Sequence, residues 1–203
     1  MNEIKFNILI LGDSCVGKTS LMFKFTENFY EENQVSTIGI AYKDKAIKIN
    51  NQKIILNIYD TSGQERYHSL TKSYLRNADG VIFVFDLTKE KTFENIQKWL
   101  ITCDDVMENI NKIIVGNKLD LENREIDTER AEIFCEKYNM KYFETSAKRG
   151  TNVEKIFEEI TRLILDNKQK NEIKDKENAY IIKHKSSKIK IQPDKSKKKK
   201  KCC

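Results

Sequence analysis

Residues 12–19 read Gly12-Asp13-Ser14-Cys15-Val16-Gly17-Lys18-Thr19 and match the pattern G-x-x-x-x-G-K-[ST]. They stand between a short apolar run at 7–11, typical of a buried strand, and a stretch with helical spacing of apolar residues. In such a loop several backbone N–H groups converge on one point, and the dipole of the following helix favours an anion there. Lys18 would then meet the outer phosphates of a ligand, and the Thr19 hydroxyl would ligate Mg²⁺. The sequence therefore predicts a phosphate-binding loop, here called the phosphate loop (residues 12–19).

The charge of the chain is unevenly distributed. The 203 residues have a formal net charge of +6, and 39% of them are hydrophobic. Residues 168–203 contain fourteen lysines and four acidic residues, a balance of +10, whereas residues 1–167 have a balance of −4. The segment from 168 onward lacks glycine and has too little apolar content to form a core. We therefore predict a folded domain over 1–167 and a flexible polybasic tail over 168–203, and we expect any membrane or nucleic-acid contact there.

The cysteines do not indicate a disulfide framework. Their number is odd, and none has the spacing to a histidine that a metal site requires. The five are Cys15, Cys103, Cys135, Cys202 and Cys203. A reducing compartment is the simplest interpretation. The first residues lack the pattern of a signal peptide, and apolar runs such as 81–85 are too short to span a bilayer.

Strands alternate with helices along the predicted domain. Strands are predicted at 4–11, 42–49, 53–59, 81–86, 112–116 and 141–143, and helices after 18, from 68, from 88, around 131–135 and from 151. The second and third strands flank Asn50-Asn51-Gln52, which is a hairpin signal. This order predicts an α/β fold with an open, six-stranded, mostly parallel sheet, one antiparallel strand and helices on both faces.

Polar residues follow several of these strands at their carboxyl ends, where open parallel sheets bind ligands. Asp60 followed by Gly63 is what a Mg²⁺-linked carboxylate and a backbone contact to a γ-phosphate require. By itself, however, a strand-end aspartate is more typical of a helix cap or a turn. Gln64 carries a neutral amide that can orient an attacking water without a shifted pKa, which is the main task in phosphoryl transfer.

The tetrapeptide Asn117-Lys118-Leu119-Asp120 predicts the choice of base. The Asp120 carboxylate can accept two hydrogen bonds from guanine, at N1–H and at the exocyclic amine, whereas adenine offers an acceptor at N1. Such a site should prefer guanine by on the order of 10⁴-fold. The aliphatic stem of Lys118 and one of Phe29 and Tyr30 would sandwich the base. In isolation the same tetrapeptide is more often a turn.

Together these motifs carry a resemblance. Residues 12–19, 37–39, 60–65, 117–120 and 145–148 stand in the order and spacing of the five guanine-nucleotide boxes of the Ras superfamily. Over residues 4–167 the chain resembles Rab-type small GTPases. The Rab assignment depends on Ile38-Gly39-Ile40-Ala41-Tyr42-Lys43, Arg66-Tyr67-His68-Ser69-Leu70-Thr71, Phe85-Asp86-Leu87-Thr88 and the final Cys202-Cys203.

The resemblance implies a P-loop GTPase domain that binds GTP and GDP with Mg²⁺ and hydrolyses GTP to GDP and phosphate. It implies a molecular switch in vesicle traffic, with Gln64 as the catalytic residue. The metal ligands it implies are Thr19, Thr37 and Asp60. The nucleotide-binding residues it implies are Ser14, Cys15, Val16, Gly17, Lys18, Thr19, Ser20, Tyr30, Thr37, Gly63, Asn117, Lys118, Asp120, Ser146, Ala147 and Lys148.

The resemblance also implies partners for a monomeric switch. These are effectors that contact residues near 38–43 and 64–76, an exchange factor, a GTPase-activating protein, an escort protein and a GDP dissociation inhibitor. No arginine stands where it would act in cis, so we predict slow intrinsic hydrolysis. An arginine finger from the activating protein would raise the rate by roughly 10³–10⁵-fold.

Some positions depart from the usual Rab pattern. Cys15 replaces a glycine or small residue in the phosphate loop, Ser62 replaces a common alanine, and Tyr59 replaces a common tryptophan. Ser62 is expected close to the γ-phosphate, so it bears on hydrolysis. Tyr59 is expected on the effector-facing surface, so the identity of the effector does not follow from the family.

The lysine-rich end has three interpretations. It is a nucleic-acid or nuclear patch, a solvated charge run, or part of a membrane anchor. No aromatic residue stands among the last lysines to stack on bases, which argues against nucleic acid. Resemblance to Rab proteins implies geranylgeranylation of Cys202 and Cys203, and two chains give stable membrane residence. Each lysine near an anionic leaflet adds about 1 kcal/mol to the free energy of membrane binding. We therefore expect a peripheral protein on the cytosolic face of an endomembrane.

Two other classes of function compete with a hydrolysing switch. One is a scaffold of the same fold that binds GTP and turns it over slowly or not at all. The presence of Gln64 argues against it, whereas Ser62 and Cys15 leave it open. The other is a P-loop kinase or ATPase, which Asp120 and the lack of a lid or acceptor-substrate domain disfavour.

Overall fold

The computed structural model describes residues 3–32, 37, 39–62, 68–107 and 109–188. The strands within these ranges are β1 (Ile4–Leu11), β2 (Ile40–Ile49), β3 (Gln52–Thr61), β4 (Gly80–Asp86), β5 (Asn111–Asn117) and β6 (Lys141–Glu144). The helices are α1 (Lys18–Glu27), α2 (His68–Leu75), α3 (Glu90–Glu94), α4 (Ile96–Asp104), α5 (Thr128–Lys137) and α6 (Val153–Lys188).

The strands form one sheet in the order β2-β3-β1-β4-β5-β6. β2 is antiparallel to β3, and every other neighbouring pair is parallel. Asn50 and Asn51 connect β2 to β3 with φ angles of 49° and 65°. Positive φ at both central residues is what a tight hairpin turn needs, and asparagine tolerates it. The predicted α/β fold, with its six-stranded and mostly parallel sheet, is confirmed.

The alternation of side chains along the strands places apolar groups on both faces of the sheet. Leu9 and Leu11 of β1 belong to a buried cluster with residues of α3, α4 and α5. On the opposite face Phe25 of α1 stacks on Phe157 of α6, with ring centroids 4.0 Å apart. Because β1, β3 and β5 run in the same direction in the sheet, their carboxyl ends lie at one edge, and the polar loops follow there.

The helical pattern that begins near Thr88 forms two helices, α3 and α4, and the first starts at Glu90. Thr88 itself is held in a turn, because its backbone N–H and its hydroxyl both donate to Asp86 Oδ1, at 2.9 and 2.7 Å. Such a side-chain bond competes with helix formation. The apolar residues that recur at helical spacing in this stretch are nonetheless buried: Phe93, Ile96, Leu100 and Cys103.

The chain divides into two units, residues 1–164 and 165–203. The predicted division between 167 and 168 stays a prediction. α6 is helical as far as Lys188, whereas the sequence predicts flexible chain from residue 168. Residues 153–188 contain neither glycine nor proline and are rich in lysine and glutamate, which favour helix. Among the helices that the structure describes, none combines the length and apolar character that crossing a membrane requires.

Candidate functional site

The carboxyl ends of β1, β3 and β5 surround a cavity of about 390 Å³. Most of the residues predicted from the sequence to bind nucleotide line it. These are Ser14, Cys15, Gly17, Lys18, Thr19, Ser20, Tyr30, Thr37, Asn117, Lys118, Asp120, Ala147 and Lys148. Val16 and Ser146 take part through hydrogen bonds to lining residues instead. Gly63, Gln64, Cys202 and Cys203 lie outside the described residues, so the catalytic and lipidation assignments stay predictions.

The two glycines of the phosphate loop are required by its close packing. Gly12 has φ +143°, and a Cβ there would lie 2.0 Å from the carbonyl oxygen of Val84. Gly17 has φ +93°, and a Cβ there would lie 2.3 Å from Asn117 Nδ2. Both conformations are rarely open to other residues. The loop is therefore pressed against β4 on one side and against the end of β5 on the other.

Lys18 supplies a buried cation at the inner end of the cavity. Its ammonium donates to the carbonyl oxygens of Gly12 at 2.9 Å and Asp13 at 2.7 Å. Burial lowers its pKa to about 8, although Asp60 and Asp13 act to raise it. The group is thus positioned by the loop it belongs to, and an anionic ligand would compensate for the hydration that the ammonium loses on burial.

The phosphate loop is tied to α4 by Asp13. Asp13 Oδ1 accepts a hydrogen bond from the indole N–H of Trp99 at 2.8 Å, and Oδ2 accepts one from Asn95 at 2.7 Å. Sequence reasoning missed this link, because no local pattern signals contacts between residues more than eighty positions apart. Bonds to a carboxylate are among the stronger ones in proteins, so they hold the loop firmly.

Three oxygen-bearing side chains meet beside the loop. Thr19 Oγ1 donates to Asp60 Oδ2 at 2.5 Å, and Thr37 Oγ1 donates to the same oxygen at 3.1 Å. The two hydroxyl oxygens are 2.8 Å apart. Asp60 is fully buried, and its Oδ1 has no hydrogen-bond partner in the described structure. Burial raises the pKa of Asp60, while Lys18 and the two hydroxyls act to lower it.

These donors fit a magnesium ion. Mg²⁺ prefers hard oxygen ligands and binds through one or two carboxylates together with substrate phosphates and waters. Thr19, Thr37 and Asp60 present one carboxylate and two hydroxyls, and the unpartnered Oδ1 is a buried acceptor without a cation. Within the described residues no group of three or more histidine, cysteine or acidic side chains is arranged to hold a metal ion.

Asn117 joins the two ends of the cavity. Its amide donates to the carbonyl oxygen of Val16 at 2.9 Å. Its carbonyl accepts from the Thr145 hydroxyl at 3.1 Å and from the Ala147 backbone N–H at 3.3 Å. Asn117 is 2% exposed. One side chain therefore connects the phosphate loop to the loop after β6, here called the base loop (residues 145–148).

The groups that would read a base stand beyond Asn117. The Ser146 hydroxyl donates to Asp120 Oδ1 at 2.6 Å, which orients that carboxylate. The ammonium of Lys118 is 2.7 Å from Asp86 Oδ2, so its aliphatic stem is fixed along the cavity wall. Tyr30 lines the cavity, whereas Phe29 is 49% exposed and packs edge-on against Phe23. Of the two aromatic candidates, the geometry favours Tyr30.

The Ras family model matches residues 7–166 of this chain. The chain is 40% identical over 183 residues to the Ras-related protein Rab-10 of Diplobatis ommata, covering 88% of this chain and 90% of that protein. It is 44% identical over 154 residues to the Ras-related protein Rab-1A of Dictyostelium discoideum, covering 75% and 76%. The chain belongs to the Ras family. It is a Rab-type small GTPase, a class of enzyme that hydrolyses GTP and serves vesicle traffic.

In this Rab-type GTPase the structure adds residues to the cavity that sequence reasoning did not assign. Glu31, Glu32 and Leu121 line its outer part. The part of the cavity at Asp120 and the base loop is here called the base end. At its mouth the ammonium of Lys148 donates to Glu32 Oε1 at 2.8 Å. An ion pair between residues so far apart in sequence leaves no local signal.

Glu144, the last residue of β6, directly precedes the base loop and fixes where that loop begins. Its carboxylate accepts from the guanidinium of Arg124 through both oxygens, from the Tyr142 hydroxyl at 2.9 Å and from the Thr128 hydroxyl at 3.0 Å. Burial acts to raise the pKa of Glu144, but the hydrogen bonds from Arg124, Tyr142 and Thr128 prevail and hold it below its ordinary value. The strand end that leads into the base loop is therefore anchored by charge.

Two departures from the Rab pattern lie in the part of the cavity formed by the phosphate loop and Asp60, here called the phosphate end. Cys15 is exposed and adopts φ 64°, a left-handed conformation that glycine reaches without strain. Ser62 is 4% exposed and lines the cavity. It lies next to the candidate magnesium ligands Thr19, Thr37 and Asp60, here called the magnesium-ligand group. Both residues therefore line the part of the cavity where a bound phosphate chain would lie.

Proposed function

We propose that this Rab-type GTPase binds GDP and GTP with Mg²⁺ in the cavity described above and works as a membrane-anchored switch. The observation that carries the proposal is the convergence of three different groups on one cavity: the buried ammonium of Lys18, the magnesium-ligand group and the Asp120 carboxylate. A phosphate chain, a divalent cation and a guanine base are the parts of one ligand that need these three groups.

Mg²⁺, when bound, would neutralise part of the negative charge of the phosphates. Thr19, Thr37 and Asp60 would hold it. Lys18 would bind the outer phosphates, and the backbone N–H groups of the phosphate loop would surround the inner ones. At the other end Asp120 would accept from guanine, and the Ala147 N–H would donate to the guanine carbonyl.

Gln64 would orient the attacking water, and hydrolysis would be slow without an activating protein. The alternative is a GTP-binding scaffold of the same fold that hydrolyses slowly or not at all, which the unusual Cys15 and Ser62 leave open. Loss of the terminal phosphate would release Thr37 and the segment after Ser62, so a partner that contacts those segments would read the nucleotide state.

An aromatic surface supports effector binding near the predicted segments 38–43 and 64–76. Tyr59 lies between Tyr42 and Tyr74, with ring centroids 5.3 and 5.1 Å away. Tyr42 is 50% exposed and Tyr74 is 37% exposed. Aromatic side chains that remain open to water are typical of interaction surfaces. The exchange factor, activating protein, escort protein and GDP dissociation inhibitor belong to the same proposal.

The membrane part of the proposal concerns the carboxyl-terminal residues. Lipid chains on Cys202 and Cys203 would insert into the cytoplasmic leaflet, and the lysines at 195 and 197–201 would add electrostatic attraction to anionic lipids. Mass spectrometry of the protein isolated from native membranes is expected to find both thiols modified. A Cys202→Ser/Cys203→Ser variant, which keeps every lysine, should be lost from those membranes. Two unmodified thiols in membrane-isolated protein would overturn this part.

A binding experiment tests the nucleotide site. Calorimetry with GDP and ADP in the presence of Mg²⁺ is expected to give a preference for GDP of on the order of 10⁴-fold. Asp120→Ala should remove most of that preference, while Asp105→Ala, an exposed aspartate after α4, should retain it. Equal affinity for GDP and ADP in the unmodified protein would overturn the proposal and favour an ATP-using enzyme.

A second experiment separates the switch from the scaffold. Single-turnover phosphate release from bound GTP is expected to be slow but measurable, and Gln64→Leu should abolish it while GTP binding persists. Release that is equally slow in both proteins would support the scaffold. Fast release without a second protein would contradict the expectation that an arginine must come from outside.

A further inference from the structure

Ser62 follows directly after β3 and is held on the wall of the cavity by its own backbone. Its N–H donates to the carbonyl oxygen of Gly39 at 3.1 Å, which ties it to the residue before β2. Its side chain is 4% exposed, and it lines the cavity. The hydroxyl is therefore removed from bulk water at a fixed place in the phosphate end.

That hydroxyl has no hydrogen-bond partner in the described structure. The preceding residue shows the usual arrangement, because the buried Thr61 hydroxyl donates to the carbonyl oxygen of Ile10 at 3.0 Å. Most buried polar side chains find a partner, and leaving one unpaired is costly. Two adjacent buried hydroxyls thus differ in one respect: the fold satisfies Thr61 and does not satisfy Ser62.

The missing partner of Ser62 is best sought in the ligand. Asp60, two residues earlier, also has an oxygen without a partner in the part of the chain that the structure describes, and that oxygen is assigned above to a metal ion. The phosphate loop would surround the inner phosphates of a bound nucleotide, and the terminal phosphate would need donors in addition to Lys18. Ser62 stands at the end of β3, outside that loop, and carries a neutral donor.

We propose that the Ser62 hydroxyl donates a hydrogen bond to the terminal phosphate of bound GTP. This inference rests on the proposed function, since it presupposes that the cavity binds GTP. The contact would be absent with GDP, so it would favour the triphosphate state over the diphosphate state. A hydrogen bond to a charged oxygen corresponds to a preference of roughly 10- to 100-fold. The common Rab pattern has alanine here, so the preference would be a property of this chain.

The test compares two affinities in one protein. GDP and a non-hydrolysable GTP analogue are titrated, each with Mg²⁺, into the full-length protein and into Ser62→Ala. The ratio of analogue affinity to GDP affinity is expected to fall by about tenfold or more in Ser62→Ala, with GDP affinity unchanged. Thr102→Ala is the matched control, because it removes one hydroxyl that, in the described structure, donates within α4 to the Lys98 carbonyl, and its ratio should stay the same.

Three outcomes would overturn the proposal. One is an unchanged ratio, and another is an equal loss of affinity for both nucleotides, which would place the contact on a shared part of the ligand. The third is a clearly lower melting temperature for nucleotide-free Ser62→Ala, which would show that the hydroxyl has a partner in the protein. If the unmodified protein bound neither guanine nucleotide, the proposed function would fail instead, and the two failures are thereby distinguished.

Discussion

The two ends of the cavity are built in different ways. At the phosphate end Lys18 is 4% exposed, Asp60 is fully buried, and the loop is tied to α4 through Asp13. At the mouth of the base end the ion pair consists of Lys148 and Glu32, whose side chains are 48% and 72% exposed. The phosphate end is part of the protein interior, whereas the mouth of the base end is bordered by an ion pair between side chains that are exposed to water.

This difference predicts how each end responds to mutation. Hydrogen bonds and charges removed from water leave an unpaired buried group when one partner is lost, and that is expensive. Exposed ion pairs are screened and contribute little. We therefore expect large effects where a substitution opens the buried network, intermediate effects in the supports of each end, and small effects at the exposed pair.

Asn117→Ala should have the largest effect, because this residue connects both ends. The substitution leaves the Val16 carbonyl, the Thr145 hydroxyl and the Ala147 N–H without their buried partner. We expect the free energy of unfolding to fall by about 3 kcal/mol and the affinity for GDP to fall by roughly 100-fold or more. Urea denaturation and GDP titration measure the two quantities.

Asn77→Ala is the matched control for this prediction. Asn77 is exposed, and its amide donates only weakly, to the Ser73 carbonyl at 3.3 Å. Its unfolding free energy should change by less than about 0.5 kcal/mol. If Asn117→Ala lost stability but kept its affinity for GDP, the view that one side chain couples the two ends would be wrong.

Trp99→Phe tests the support of the phosphate end. The variant keeps an aromatic ring but removes the N–H that donates to Asp13 Oδ1. We expect GDP to dissociate about tenfold faster, because the loop loses a hydrogen bond to a charged group. Asp13→Ala and the double variant complete a cycle, and the two substitutions should combine less than additively since they break the same bond. Strict additivity in stopped-flow release would contradict the assignment.

Glu144→Gln tests the support of the base end through its pH dependence. The pKa of Glu144 is lowered in the folded protein, so its charge contributes stability above its ordinary pKa of 4.5, and that stability is lost as the pH falls through the folded value. The variant should be about 1–2 kcal/mol less stable at pH 7, and the difference should shrink toward pH 4 and below.

Urea denaturation at a series of pH values measures this difference, with the exposed Glu129→Gln as control. A gap between the unmodified protein and Glu144→Gln that stays constant down to pH 3 would show that the carboxylate charge is not what stabilises the strand end.

The contrast between the two ends also explains what sequence reasoning could reach. The phosphate loop and Asp120 belong to short motifs whose local geometry determines their chemistry, and the order of strands sends them to the same edge of the sheet. The family comparison is consistent with that inference over residues 7–166. These parts were predictable because each depends on neighbours within a few residues.

Other parts depend on packing between distant segments. The bonds from Trp99 and Asn95 to Asp13 arise only once α4 lies against the phosphate loop. Two further differences have local causes that hydrophobic periodicity does not show. The late start of α3 at Glu90 follows from the bonds between Thr88 and Asp86. The length of α6 follows from the helix propensity of a segment whose low apolar content predicts flexible chain. No local pattern of hydrophobic residues signals any of these.

Glu32→Gln should have the smallest effect, and it tests the exposed end directly. Removing one charge of the pair with Lys148 should speed GDP release by about two- to fivefold at low salt, because an exposed ion pair stabilises little. The neighbouring Glu31→Gln removes the same charge one residue away and controls for the general loss of a negative group near the cavity.

Salt decides whether the small effect is electrostatic. At about 1 M salt the Debye length falls to roughly 3 Å, so the difference between Glu32→Gln and the unmodified protein should vanish. A difference that persists at high salt would mean that Glu32 holds the base end by packing or by a desolvated bond. In that case the base end would be built like the phosphate end, and the distinction drawn between them would not stand.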